Sequence, residues 1–216
     1  MTQDVRLRVA VLASGTGTNL QALIDRVHGT EGIQIVAVAS DKPDAQALIR
    51  AERAGIETSA FPLDGHGGDR AARDGAIAEW LLTRDVELVV LAGYMQIMGS
   101  SFLSKFPGRV INLHPALLPA FPGLDAIGQA LDYGVKVFGV TVHFVDEGVD
   151  TGPIILQRAV ELPDAVSRED VEPHIHAIEH SMLPEAVRLF ARGAVRASQA
   201  NPRRVLVGPG AVLSEG

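Results

Sequence analysis

The sequence predicts an α/β fold: a mainly parallel sheet with helices on both faces. Three observations lead there. Short, nearly continuous apolar runs recur as LRVAVLA (7–13), IQIVAVA (33–39), VELVVLAGY (86–94) and RVINLH (109–114). Segments with helical apolar spacing lie between them, the first carrying Leu20, Leu23, Ile24 and Val27 on one face. Strands this apolar on both sides suit a sheet buried between two helical layers.

In order, LRVAVLA is a buried strand and Thr18 to about His28 a helix. IQIVAVA is the second strand, closed by Ser40-Asp41-Lys42-Pro43. A helix from about Ala45 to Ala54 ends at Gly55, and TSAFPL (58–63) is a short strand. A helix from about Arg70 to Leu82 leads to VELVVLAGY and RVINLH. Residues 115–124 are rich in Pro and Gly and read as an ordered loop, followed by a short helix from about Ala126 to Tyr133. KVFGVTVHFV (136–145) and PIILQRAVEL (153–162) are further strands, and Arg168 to about Arg192 is one long helix containing Pro173 and Pro184. After Ser198 there is no strong periodicity beyond a short VLV. No linker or internal repeat interrupts the chain, which reads as one domain with two lobes.

The 216 residues, 47% of them hydrophobic, suffice for a full core and exclude global disorder. A net charge of −7 argues against broad nucleic-acid or anionic-membrane binding, although a local site for a small anion remains open. The absence of cysteine removes disulfides, thiolate catalysis, iron–sulfur clusters and cysteine zinc sites. No targeting segment and no membrane-length apolar run is visible, so the expectation is a cytoplasmic protein.

INLHPALLP (111–119) carries the most chemistry. Asn112 and His114 are two apart on a strand, so their side chains share a face. An amide that can hold an oxyanion then stands beside an imidazole that can move protons. Downstream, VDEGVDTGPIILQ (145–157) offers Asp150 in a Gly-rich turn. Such groups gather at the carboxyl ends of strands in open α/β sheets. Singly, Asn112 reads as a strand-end cap, His114 as a core histidine and Asp150 as a turn residue; together they make a centre for metal-free acyl chemistry. His143, on the face of Thr141, reads equally as support for this set or as a buried structural residue.

ASGTGTNLQALID (13–25) joins the first strand to the first helix. Gly15 and Gly17 let backbone approach an anion at a helix N-terminus, and Ser14, Thr16 and Thr18 offer hydroxyls. The third glycine of a dinucleotide fingerprint would fall at Leu20, and no Gly-Lys-Ser/Thr follows, so a phosphate monoester fits best. An unliganded tight turn is the alternative. LAGYMQIMG (91–99) ends a strand in flexible apolar residues, where Met95, Ile97 and Met98 make an adaptable wall for a heterocycle. HAIEH (176–180) matches H-x-x-E-H, yet little chain remains for a third ligand; His174, His176 and His180 read as helix-surface residues, with Glu179 at the site.

Together these residues resemble the folate-dependent glycinamide ribonucleotide formyltransferases of purine synthesis. ASGTGTNLQALID, LAGYMQIM, INLHPALLPAFPG and HFVDEGVDTGPIILQ occur in that family's order and spacing, across roughly residues 7–195. The resemblance implies a three-layer αβα formyltransferase-like fold with a Rossmann-like N-terminal half. It implies a single domain over 1–198, with a ribonucleotide-phosphate lobe at about 1–110 and a folate and catalytic lobe at about 111–198, then a tail over 199–216. The implied co-substrate is 10-formyltetrahydrofolate, with no metal, and the implied assembly is a monomer or homodimer without nucleic-acid or membrane partners.

By the same resemblance, Asn112, His114 and Asp150 are catalytic. Gly15, Thr16, Gly17, Thr18 and Asn19 hold the ribonucleotide phosphate, and Glu179 contacts the glycinamide. Folate would meet Arg70, the segment Met95, Gln96, Ile97 and Met98, residue Asn112, and the closing loop Glu147, Gly148, Val149 and Asp150. Two positions depart from the pattern: Gln96 stands where some members carry arginine, and Asp125 where some carry histidine. A formyltetrahydrofolate deformylase shares the Asn/His/Asp core and is the nearest alternative. A methionyl-tRNA formyltransferase would want a further domain and a basic surface. A non-enzymatic sensor of a phosphorylated sugar would need only the Gly-rich loop.

Overall fold

A computed structural model describes residues 7–208. Seven strands, β1 (Leu7–Leu12), β2 (Ile33–Ser40), β3 (Glu57–Ala60), β4 (Leu88–Leu91), β5 (Val110–His114), β6 (Val137–Phe144) and β7 (Ile154–Glu161), form one sheet in the order β3-β2-β1-β4-β5-β6-β7. β1 to β5 are parallel; β6 runs antiparallel to both β5 and β7. Helices α1 (Thr18–Arg26), α2 (Gln46–Arg53), α3 (Arg70–Leu82), α4 (Ser100–Leu103), α5 (Ala126–Tyr133) and α6 (Arg168–Ala191) cover both faces. The mainly parallel α/β architecture expected from the sequence is present.

Strand alternation assigns the two cores. Val9 and Val11 of β1 pack with Leu20 and Leu23 of α1 and Met182 and Leu183 of α6. Ala10 and Leu12, pointing the other way, pack with Ile77 and Leu81 of α3 and Phe102 of α4. The strand order reverses at β1 and β4: β1 leads outward to β2 and β3, whereas β4 leads the other way to β5. Such a switch point opens a crevice at the strands' carboxyl ends. There the chain places the Gly-rich loop after β1, the 92–99 segment after β4 and the end of β5.

The differences from the sequence reading lie in short elements. β3 ends at Ala60 rather than running through TSAFPL; Phe61 N–H still donates to Ser40 O, but Pro62 has no N–H to continue. A 3-10 turn at Asp64–His66 and the four-residue α4 are too short to carry a period. Beyond α6, β8 (Val195–Ala197) and β9 (Val205–Val207) form an antiparallel ribbon where the sequence offers only VLV. No helix among the described residues is long and apolar enough to cross a membrane.

α6 starts at a reciprocal cap. Ser167 Oγ accepts from Asp170 N–H, and the Asp170 carboxylate accepts from Ser167 N–H at 2.9 Å. Replacing such a cap costs about 1 kcal/mol. Ser167→Ala is therefore expected to lower unfolding stability by about 1 kcal/mol, read from the urea midpoint, with an unchanged urea dependence.

Candidate active site

Asp150 is the meeting point of the candidate catalytic residues. Its Oδ1 accepts from Asn112 Nδ2 at 3.3 Å and lies 3.5 Å from His143 Nε2; its Oδ2 accepts from Gly123 N–H at 2.7 Å and lies 3.3 Å from His114 Nδ1. Asn112 and His114 project together from β5, as their spacing predicts. His143 joins them because β6 pairs antiparallel with β5 and sets His143 directly opposite Asn112. The His114 Nε2–H donates to Phe121 O at 2.9 Å, and the His143 Nδ1–H donates to Phe144 O at 2.7 Å. Those carbonyls can only accept, so Nδ1 of His114 and Nε2 of His143 are the nitrogens turned toward the carboxylate. Asn112 Nδ2 also lies 3.2 Å from His143 Nε2.

Asp150 holds a positive φ of 53°, a strained conformation for a non-glycine residue. Gly152 explains part of the restraint: a Cβ there would fall 1.7 Å from Phe144 O, so only glycine lets the loop lie against β6. Asp146 closes the turn by accepting from Thr151 Oγ1 at 2.6 Å and Gly148 N–H at 3.1 Å.

The cluster lines a cavity of about 380 Å³, whose walls include Arg70, Gly93 to Met98, Gly123 to Ile127, Asp146, Gly148, Val149 and Arg168. Met95 and Ile97 are 59% and 60% exposed toward it, while Met98 is largely core, at 3%. The Glu147 side chain is not among the cavity's lining residues. Asp125 caps α5, accepting from Gly128 N–H at 3.1 Å, and is ion-paired with Arg168, whose guanidinium holds its carboxyl below the usual range.

The Gly-rich loop lies outside this cavity but is joined to its wall. Ser14 N–H donates to Gly93 O at 3.0 Å, and Ser14 Oγ accepts from Met95 N–H at 2.8 Å. Gly17 takes a φ of 71° just before α1, and a Cβ on it would lie 2.7 Å from Ala47 Cα. No side chain caps α1 and no acid occupies its first turn, leaving its N–H groups to an anion. Asn19 Nδ2 donates to Glu179 Oε2 at 3.1 Å, and His176 Nδ1–H donates to the same oxygen at 3.0 Å. That bond raises the His176 pKa. The predicted phosphate and glycinamide residues are thus brought together, although 160 positions separate Asn19 from Glu179.

Sequence reasoning left His143 undecided and missed three other contributors. Thr141 Oγ1 donates to Ala116 O at 2.6 Å, and Gln157 Nε2 donates to Leu118 O at 2.8 Å; both tie down the loop carrying Gly123. Gly123 itself supplies a backbone donor. The alternation that puts Thr141 with His143 was the available signal for one of them.

Burial alone would raise the Asp150 pKa, but bonds from His143 and Gly123 N–H and the proximity of His114 outweigh it, and the carboxyl is held below its ordinary range. A lowered folded-state pKa stabilises the fold above the unfolded value and loses that stabilisation as pH falls through the folded one. Asp150→Asn is expected to lose less stability than the parent on acidification from about pH 4 to about pH 2. Urea unfolding at a series of pH values checks this.

The sequence profile of the formyl transferase family matches residues 7–187. Phosphoribosylglycinamide formyltransferase of Bacillus subtilis (strain 168) is 44% identical over 182 residues, covering 84% of this chain and 93% of that protein. The trifunctional purine biosynthetic protein adenosine-3 of Bos taurus is 45% identical over 195 residues, of which this chain spans 19% of the length. Among solved structures, glycinamide ribonucleotide transformylase 1 from Symbiobacterium toebii superposes with a TM-score of 0.89 at 47% identity, covering 95% of each chain. With the profile spanning most of its length and the B. subtilis protein matched over 93% of its own, the chain belongs to the formyl transferase family.

Proposed function

We propose that this chain transfers the formyl group of 10-formyltetrahydrofolate to the amine of glycinamide ribonucleotide, a step of de novo purine (IMP) synthesis. The observation that carries the reading is the Asp150-centred cluster at the wall of a cavity that also borders the Gly-rich loop's anchor on Met95. The B. subtilis and S. toebii proteins bear names for this activity. One domain serves both substrates, the lobe at about 1–110 supplying the phosphate loop and the lobe at about 111–198 the reacting groups. We read the chain as a cytoplasmic monomer or homodimer without nucleic-acid or membrane partners; the net charge of −7 supports the reading only against nucleic acid and anionic membranes.

In this reading, Gly15, Thr16, Gly17, Thr18 and Asn19 hold the phosphate, and Glu179 turns the glycinamide arm toward the cavity. Met95, Gln96, Ile97 and Met98 flank the folate ring, Arg70 faces its acidic tail, and the loop of Glu147, Gly148 and Val149 closes over it. Holding both substrates makes the attack effectively unimolecular. The amine nitrogen bonds to the formyl carbon, and the carbonyl electron pair moves to its oxygen. Asn112 and His114 hold that oxyanion while Asp150 fixes the imidazole. As the bond from carbon to the folate nitrogen breaks, His114 helps carry the proton lost by the amine to the departing nitrogen. The products are the N-formyl ribonucleotide and tetrahydrofolate.

Asn112→Ala and His114→Ala are expected to fold and to lose on the order of 10²–10³ in kcat, the usual loss for a missing oxyanion donor. Wild-type turnover in either folded variant would reject the assignment. Folate deformylation should depend on the ribonucleotide, with the formyl group recovered on it; equal turnover without it would indicate a hydrolase.

Gly17→Ala separates the two substrate sites. Its Cβ would collide with Ala47, displacing the loop. The KM for the ribonucleotide is expected to rise by at least about tenfold while the folate KM changes by less than about twofold. A rise confined to the folate KM would refute the phosphate-loop assignment.

A further inference from the structure

Arg73 and Asp74, in the first turns of α3, are the unusual feature beneath the cavity. Both are buried, with side-chain exposures of 0% and 2%. Arg73 Nε and Nη2 donate to Asp74 Oδ1 at 3.0 and 2.7 Å. A buried ion pair is a weak source of stability, because desolvating two charges offsets most of their attraction. What distinguishes this pair is where its remaining polar atoms go.

Arg73 Nη1 donates to Gln96 Oε1 at 2.9 Å, and Asp74 Oδ2 accepts from Gly99 N–H at 2.8 Å. Gln96 passes the connection on, its Nε2 donating to Asp41 Oδ2 at 2.9 Å beyond the end of β2. The segment between Tyr94 and Gly99 is therefore tied at two points to one buried pair, and at a third, Met95 N–H, to Ser14. Within that segment, Met95 and Ile97 project outward into the cavity while Met98 and Tyr94 anchor in the core.

We propose that Arg73 is a positioning residue for the formyl donor: acting through Gln96 and Asp74, it fixes the 95–98 backbone against which the folate ring lies, and so sets folate affinity without touching the folate. This rests on the reading of that wall as the folate-binding one. It also constrains position 96, which must present an acceptor to a guanidinium nitrogen 2.9 Å away. An arginine there, as in some members of the family, would set two guanidinium groups against each other.

The test is steady-state kinetics of the purified full chain in both substrates, with thermal unfolding alongside, for Arg73→Lys, Gln96→Ala, their combination, Gln96→Arg and Ile97→Ala. Lysine keeps the charge beside Asp74 but lacks the planar fork that reaches Gln96 at the same time. Arg73→Lys and Gln96→Ala are each expected to raise the folate KM about tenfold and leave the ribonucleotide KM within about twofold. The combination should be no worse than the more severe single variant, because both break one connection. Gln96→Arg should exceed Gln96→Ala.

A lowered melting temperature with unchanged folate KM in Arg73→Lys and Gln96→Ala would overturn the proposal, reducing the pair to a structural element. Ile97→Ala tells that failure from failure of the underlying reading. If it raises the folate KM while the other two do not, the wall binds folate and only the role of Arg73 is refuted. If all three leave the folate KM unchanged, the wall itself is misassigned and the proposal falls with it. Should Arg73→Lys fail to fold, Gln96→Glu takes its place: it keeps the acceptor for Arg73 that Gln96→Ala removes, so its folate KM should return toward the parent value, and no recovery relative to Gln96→Ala would overturn the proposal.

Discussion

The candidate reaction centre hangs on one half-buried carboxylate. Asp150, in the turn between β6 and β7, is reached by three other stretches of chain: Asn112 and His114 from β5, His143 from β6, and Gly123 from the proline-rich loop. A charge removed from water must find donors or neutralise. Here each oxygen has a hydrogen-bond donor and a facing imidazole nitrogen, so the carboxylate stays ionised and in turn fixes the groups around it. The strained φ at Asp150 is compatible with this, because partners on all sides over-determine its position.

That convergence follows from the topology of the sheet. Parallel strands deliver their carboxyl ends to one edge, and the reversal of strand order at β1 and β4 opens the crevice there. The switch to antiparallel pairing at β6 adds what a purely parallel sheet would not, a strand whose far end runs back beside β5. The register of that pairing sets His143 directly across from Asn112. Ser14, bonded to both Gly93 and Met95, joins the Gly-rich loop to the cavity wall, so the two proposed substrate regions share a frame although only one of them lines the cavity.

Local patterns were legible in the sequence, and pairings between distant segments were not. The i, i+2 spacing of Asn112 and His114 and the alternation of Val9 and Val11 against Ala10 and Leu12 are properties of one strand, so they could be read directly. The centrality of His143 depends on a register between two strands, and no single strand states its register. The bond between Asn19 and Glu179 spans 160 positions and no local pattern states it; the family resemblance names the two residues only separately, one for the phosphate and one for the glycinamide. β8 and β9, at three residues each, are too short for alternation to stand out. Two adjacent charges on a helix ordinarily mark its solvent face, so nothing in the sequence singles out Arg73 and Asp74; their burial depends on partners after β4 that helical periodicity does not report.

The two departures from the family pattern share a physical form. At Gln96, a neutral side chain stands in place of an arginine found in some members, and a buried arginine, Arg73, donates to it. At Asp125, an acid stands where some members carry histidine, and Arg168 pairs with it while its carboxylate also caps α5. In each case the residue is engaged by a guanidinium from a different element, α3 or α6. A carboxylate committed to a helix cap and an arginine is a poor proton relay, since protonating it would forfeit both interactions. Asp125 therefore joins the start of α5 to the start of α6 at the cavity's rim, which in the proposed mechanism leaves proton movement to the imidazoles around Asp150. At both positions a guanidinium holds the cavity wall, while the proposed reacting groups come from β5 and the β6–β7 turn.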